Sequence, residues 1–183
     1  MKPSTEVKIF ANGSCLGNPG PGGYSSVIRE GTHEEMKILT GGFCNTTNNR
    51  MALMGPIKGV EYVKTPSKIM VCSNSKYFVD AMTKGWVRRW KGKNWWRSKT
   101  EKASSIDLWK RLLKACEPHE VKFVWMSNRT GNNEGAIYEN LAKEAAKQWN
   151  LPVDHGYEQL SCSLTINKGD STLISMTPGR SPD

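Results

Sequence analysis

The sequence predicts an α/β fold, and two observations carry that expectation. Val7, Ile9 and Ala11 alternate with polar or opposite-face residues at period two, and Tyr24, Ser26 and Ile28 do so again beyond a glycine- and proline-rich corner, as two strands of a hairpin would. After Asn45, helix-like segments alternate with short apolar runs, the order expected of a sheet covered by helices. At 183 residues the chain is long enough for one domain with a proper core, plus a tail.

The corner between the first two strands is a shaped connection. Gly17, Gly20, Gly22 and Gly23 allow positive φ, while Pro19 and Pro21 fix φ and withhold backbone donors. Neither GxxxxGK nor a strand-flanked GxGxxG is present, so the loop carries no nucleotide-site signature. A third strand is expected from Met36 through Gly41 and Gly42 to Cys44. Thr46 or Thr47 then caps a helix from about Asn48, with Leu53, Ile57 and Val60 on its apolar face. Gly55, Pro56 and Gly59 fall inside that helix, and an interior proline costs about 3 kcal/mol, so a kink or break near Pro56 is expected.

Lys68 to Ser73 suits a buried strand, and Ser75 caps a helix through Met82. Asn74 therefore sits at the C-terminal end of a strand, where ligand-contacting residues collect in open α/β sheets. Residues 85–102 form a basic, tryptophan-rich handle: Arg88, Arg89, Lys91, Lys93, Arg97, Lys99 and Lys102 are opposed only by Glu101 and interleaved with Trp86, Trp90, Trp95 and Trp96. Cations meet phosphates and rings meet sugars or bases, so this composition suits nucleic acid. Trp86 and Trp90, four apart on a helix, equally suit packing of the handle against the body, expected for at least one of them. Ile106 to Cys116 reads as an amphipathic helix, Val121 to Met126 as a fifth strand, and Ala136 to Trp149 as a final helix after a polar loop. Beyond Glu158, the alternating Leu160, Cys162, Leu164 and Ile166 suggest a small hairpin, and the closing TPGRSPD a disordered end.

Composition narrows the function. No run of eighteen apolar residues and no apolar stretch behind MKPSTEVK occurs, which predicts a cytoplasmic protein with neither membrane span nor secretory signal. Five cysteines without CxxC spacing and three scattered histidines point to free thiols rather than disulfides or zinc. The net charge is +9, yet residues 151–183 hold only Lys168 and Arg180 against Asp154, Glu158, Asp170 and Asp183, so the excess of cations lies in the first 150 residues. Such a body attracts polyanions, nucleic acid before membrane because no amphipathic anchor helix is visible.

The strings NGSCLGNPGPGGY from Asn12, TTNNRMALM at 46–54, SNSKY at 73–77 and GWVRRWKGKNWWR at 85–97 together resemble bacterial type 1 ribonuclease H. The resemblance runs in order from about Glu6 to Tyr157. It implies a domain over 1–157, including the handle, and leaves 158–183 as an extension. It also implies a five-stranded mixed sheet, three antiparallel strands extended by two parallel ones, with helices on both faces and a basic protrusion. The family cleaves the RNA strand of RNA/DNA hybrids with a Mg²⁺ pair held by four carboxylates. At those positions this chain has Asn12, Ala52, Asn74 and Glu139, and where the family has a loop histidine it has Arg129.

By the same resemblance, Gly13, Cys15, Asn18, Asn48 and Asn49 meet sugar hydroxyls and base edges of the RNA strand, and Trp86, Arg88, Arg89, Trp90, Lys91 and Lys93 of the handle contact the duplex. The expected partner is RNA/DNA hybrid or another RNA-containing duplex, bound by a monomer without hydrolysis. No cofactor is expected beyond weak single Mg²⁺ binding at Glu139. A metal-dependent nuclease with an altered site, and a protein-interaction module that keeps only the fold, stand as alternatives.

Overall fold

The structure is a computed structural model and describes residues 6–31, 36–126 and 133–158, with the side chains of residues 133 and 134 left out. Five strands form one sheet in the order β3-β2-β1-β4-β5. β1 (Glu6–Cys15) pairs antiparallel with β2 (Gly20–Glu30), and β2 antiparallel with β3 (Met36–Thr46). On its other side β1 runs parallel to β4 (Lys68–Ser73), which runs parallel to β5 (Glu120–Trp125). The mixed sheet expected from the resemblance is therefore present.

The alternation in β1 decides which face is core: Val7, Ile9 and Ala11 are buried toward α1 (Asn48–Tyr62), whereas Phe10 faces Tyr138 of α5 (Asn133–Ala146) on the opposite side. α2 (Lys76–Thr83), α3 (Trp86–Gly92) and α4 (Ile106–Cys116) join α1. Their meeting point is Trp109, fully buried and stacked on Phe78 at 6.2 Å, with Trp90 edge-on at 6.0 Å. Helices thus cover both faces. None of those described is long and apolar enough to cross a membrane.

The break expected at Pro56 does not occur. α1 runs unbroken through fifteen residues with Pro56 buried inside it. The adjoining glycines explain what the sequence gains there. A Cβ at Gly55 would stand 3.0 Å from the Asn12 and Ser25 carbonyl oxygens, and one at Gly59 only 2.6 Å from Ile9 Cγ2, so their absence lets α1 lie directly on β1 and β2. Ser26 Oγ also donates to the Gly55 carbonyl, which tethers the helix to the sheet one residue before the proline. Tertiary burial here outweighs local propensity.

A second tether holds the start of α1. Thr47 is its N-cap, its Oγ1 accepting from Arg50 N at 3.4 Å. Thr46 instead donates to Asp154 Oδ2 at 2.6 Å. Between them the Arg50 guanidinium, 2% exposed, forks to Asp107 at 2.7 and 2.8 Å and to Asp154 at 2.7 and 2.9 Å. Burial alone would favour loss of the Arg50 proton, but hydrogen bonds and charge from the two carboxylates outweigh it and hold the guanidinium firmly charged. Burial likewise pushes Asp154 up, and its bonds to Arg50 and Thr46 prevail and leave it below the usual carboxylate range.

The described cysteines, Cys15, Cys44, Cys72 and Cys116, are free thiols, as expected, and burial pushes Cys116 up to about 11. Cys162, the expected hairpin after Glu158 and the closing TPGRSPD lie outside the described residues.

Removing Arg50 strands Asp154 in a buried position, so Arg50→Ala is expected to cost about 3–5 kcal/mol in urea unfolding. Because the Asp154 pKa is depressed on folding, its contribution is present above the unfolded value near 3.9 and is lost as pH falls through the folded one. The parent should therefore lose stability below about pH 4 more steeply than Asp154→Asn does. Parallel slopes for the two proteins would contradict this.

Candidate nucleic-acid interface

Two of the four positions that the resemblance assigns to carboxylates are brought together by sheet register alone. Ala11 and Ser73 are parallel partners on β1 and β4, so Asn12 in β1 and Asn74, just past the end of β4, are the next residues along neighbouring backbones. Asn12 is buried at 2% exposure, and its Nδ2 has no hydrogen-bond partner among the described residues. Asn74 is half-buried and lies between β4 and Ser75, which caps α2 by accepting from Phe78 N at 3.3 Å. Ala52 comes from the other side: a Cβ on Gly13 would collide with Ala52 N and the Met51 carbonyl, so α1 is pressed against β1 there.

Glu139 arrives on α5. Ser25 of β2, the register partner of Asn12, donates to the Tyr138 carbonyl at 2.8 Å, which ties the residue before Glu139 to β2. Its carboxylate lies 2.8 Å from Lys143 Nζ, one turn along the helix. Among the described residues there is no cluster of three or more histidine, cysteine, aspartate or glutamate side chains able to hold a metal ion. Magnesium requires charged oxygen ligands in octahedral array and dehydrates reluctantly. Two amides, a methyl group and one glutamate already paired with lysine do not fit that demand. Arg129 lies outside the described residues.

The residues expected to read an RNA strand line one end of the same edge. Asn18 Oδ1 accepts from Asn48 N at 3.2 Å, which ties the glycine and proline corner to the first turn of α1. Asn48 and Asn49 are exposed. The Cys15 thiol is turned inward and donates to the Gly20 carbonyl at 3.4 Å and to that of Thr46 at 3.6 Å. Asn18 therefore acts first as a structural acceptor, with its NH₂ left for other partners.

In the handle, Arg88, Arg89, Lys91 and Lys93 are all exposed, on α3 and the residue after it. Trp90 is corrected: it is 7% exposed against Trp109 and belongs to the core, because Val87, Trp90 and Trp95 all face the body. Trp86 is half-buried against Tyr77 and Trp90, with Lys84 Nζ 5.7 Å from its ring centroid. The accessible ring is Trp96, 39% exposed with Lys102 Nζ at 5.3 Å, which the candidate contacts had omitted. Its signal was present in WW at 95–96, two adjacent rings that cannot face the same way. Arg50 was also passed over, although an arginine amid the apolar positions of a buried helix asks for buried partners.

The ribonuclease H family model matches residues 4–147. The chain is 44% identical over 154 residues to a ribonuclease H of Trichodesmium erythraeum, covering 84% of this chain and 97% of that protein. It is 45% identical over 155 residues to a ribonuclease H of Syntrophus aciditrophicus, covering 85% and 88%. Among solved structures it is similar to LC9-RNase H1, a type 1 RNase H with the type 2 active-site motif, at a TM-score of 0.69 and 27% identity over 90% of this chain and 84% of that one. LC11-RNase H1, solved in complex with RNA/DNA hybrid, shares the fold at a TM-score of 0.58 and 19% identity, covering 76% and 96%. This is an α/β protein with a ribonuclease H fold. The chain belongs to the ribonuclease H family, on the type 1 side of it.

A ligand that binds only the folded state raises the melting temperature in proportion to the logarithm of its concentration over Kd. Millimolar Mg²⁺ is expected to shift this protein's melting temperature by less than about 1 °C. A shift of several degrees that vanishes in Glu139→Gln would show that the site still holds metal.

Proposed function

We propose that this ribonuclease H family member binds RNA/DNA hybrid, or another duplex containing RNA, and holds it without cutting the RNA strand. The carrying observation is the identity of positions 12, 52 and 74: asparagine, alanine and asparagine where the family's chemistry calls for acids. Two-metal hydrolysis places a pair of divalent ions, carrying +4, around the scissile phosphate. Against that charge only Glu139 offers an anion, and Lys143 already neutralises it in part. Arg129, in the place of a family histidine, stays protonated near neutral pH and so does not shuttle protons.

The binding surface has two parts with different work to do. The corner at Gly13, Cys15 and Asn18, joined to Asn48 and Asn49 by the Asn18–Asn48 bond, offers backbone groups and amides of the kind that read 2′-hydroxyls and base edges in a wide minor groove. The cations of α3 and Lys93 offer charge to phosphates, which supplies affinity without sequence information. Trp86 adds an edge to that surface. The LC11-RNase H1 complex with hybrid supports this choice of ligand for the fold.

A second reading has its own support: relatives 44–45% identical bear the name ribonuclease H, which favours a nuclease with an altered site. Cleavage decides between the two. The purified protein is expected to leave a labelled hybrid intact in Mg²⁺ or Mn²⁺ while retarding it in a gel, and metal-dependent cleavage abolished by Glu139→Gln would establish the nuclease instead. Absence of any affinity for hybrid would leave an interaction module that keeps only the fold.

The handle is tested by salt. Each phosphate contact contributes about 0.7 to 0.9 to the slope of log K against log salt, so replacing Arg88, Arg89, Lys91 and Lys93 by alanine should flatten that slope by about 2 to 4. Hybrid and DNA duplex should weaken alike, because phosphate contacts do not read sequence. An unchanged slope would remove the handle from the interface.

A further inference from the structure

The handle closes in a small hairpin rooted in the core. Arg97 N and Ser98 N donate to the Glu101 carbonyl at 2.8 and 3.1 Å, Ala103 N donates to the Trp95 carbonyl at 2.8 Å, and between these rungs Trp96 and Lys102 form an antiparallel bridge. Bridge partners present their side chains on one face, and Lys102 Nζ accordingly lies 5.3 Å from the Trp96 ring centroid. At the root, Asn94 and Trp95 have φ of 50° and 67°, in the left-handed region that a bulky residue rarely adopts. Trp95 N donates to the Trp90 carbonyl at 2.6 Å, and the Trp95 ring is buried in the core with Lys110 Nζ 5.9 Å from its centroid. With Trp95 held inward, the next side chain along the bridge is directed outward.

Trp96 is therefore the most exposed of the four handle tryptophans, at 39%. Its surroundings are cationic. Trp96 N donates to the Lys93 carbonyl at 3.1 Å, so the ring follows directly on the cations of α3. Glu101, the one acid in residues 85–102, is taken by Arg97 at 2.7 Å, which leaves Lys93, Lys99 and Lys102 to attract phosphate. An exposed indole among lysines suits successive nucleotides of a single strand, the ring stacking on a base while the cations follow the backbone. A base inside a duplex has both faces covered by its neighbours. The chemistry that fits this ring is thus an unpaired nucleobase.

We propose that Trp96 stacks on an unpaired nucleobase in a single-stranded extension of the bound hybrid, so that the handle favours a hybrid flanked by single strand over a fully paired one. This rests on the hybrid-binding function proposed above. To the phosphate contacts of the handle it adds a contact that requires a base.

The test uses one labelled RNA/DNA hybrid with a short single-stranded extension, on the DNA strand in one pair of probes and on the RNA strand in another. Within each pair the extension carries either normal bases or abasic sites throughout, which keep the phosphates and remove the rings. The parent should bind at least one base-containing probe about fivefold or more tighter than its abasic counterpart, the size expected of one base–aromatic stack. In Trp96→Ala that ratio should fall to within about twofold, and Trp96→Phe, which keeps a ring, should retain most of it. The rungs of the hairpin are backbone bonds, so both variants keep them, and circular dichroism checks the fold.

Equal binding of base-containing and abasic probes by the parent, a ratio in Trp96→Ala as large as the parent's, or a ratio lost as completely in Trp96→Phe as in Trp96→Ala would overturn the proposal while leaving hybrid binding standing. A parent that binds the isolated single strand in a Trp96-dependent way but no hybrid would overturn hybrid binding and leave the stacking site in place. A parent that binds none of these probes would overturn both.

Discussion

The buried guanidinium of Arg50 governs the end of the molecule that carries Asn18, Asn48 and Asn49, the residues proposed to read an RNA strand. It forks to Asp107 at the start of α4 and to Asp154 in the segment after α5, and Thr46 at the end of β3 donates to the same Asp154 carboxylate. Three pieces of chain distant in sequence, 46–50, the start of α4 and the segment after α5, are thereby locked at one point. Asn48 and Asn49 are the two residues before that arginine, so the lock also fixes the surface they present. Asn18 is bound to it in turn through the Asn48 backbone. A buried ion pair is weak evidence of net stability relative to an apolar replacement. Its value here is positional, because the first turn of α1 cannot rotate without unmaking four charge-assisted bonds.

From that fixed end the rest follows by close approach. α1 descends across β1 and β2 with glycines wherever backbone meets backbone, at Gly13 on the strand and at Gly55 and Gly59 on the helix. The aromatic group of Phe78, Trp90 and Trp109 then seats α2, α3 and α4 beside it. What remains outside is the basic face of α3, exposed because its apolar side is spent on the core. Scaffold and proposed ligand surface are thus opposite sides of the same elements.

Much of this was legible in the residues. Period two in β1 and β2, the apolar run of β4, and the caps at Thr47 and Ser75 each state their element locally, and the structure places them where the pattern indicates. Pro56 misled because its cost is local and its compensation is not: the packing of Gly55 and Gly59 on β1 and β2 is invisible in a window of one helix. The handle was half legible. Charge spacing marked the cations, but Trp86 and Trp90 share one period, and only the position of Trp109 on α4 shows that Trp90 is taken by the core. The proximity of Asn12 to Asn74 came from the resemblance and not from either segment's own pattern, because it rests on a parallel register that no single strand encodes.

On the proposed function, this fold keeps its ligand surface, lacks three of the four acids, and holds hybrid without cutting it because charge is missing and not because the backbone has moved. Reinstating the charge tests that directly, in the variant Asn12→Asp, Ala52→Glu, Asn74→Asp, Glu139→Asp. Since α1 is unbroken at Ala52, the account predicts Mg²⁺-dependent cleavage of the RNA strand by the fourfold variant and none by the parent. A folded, hybrid-binding fourfold variant that fails to cleave, or a parent that cleaves as fast, would contradict it.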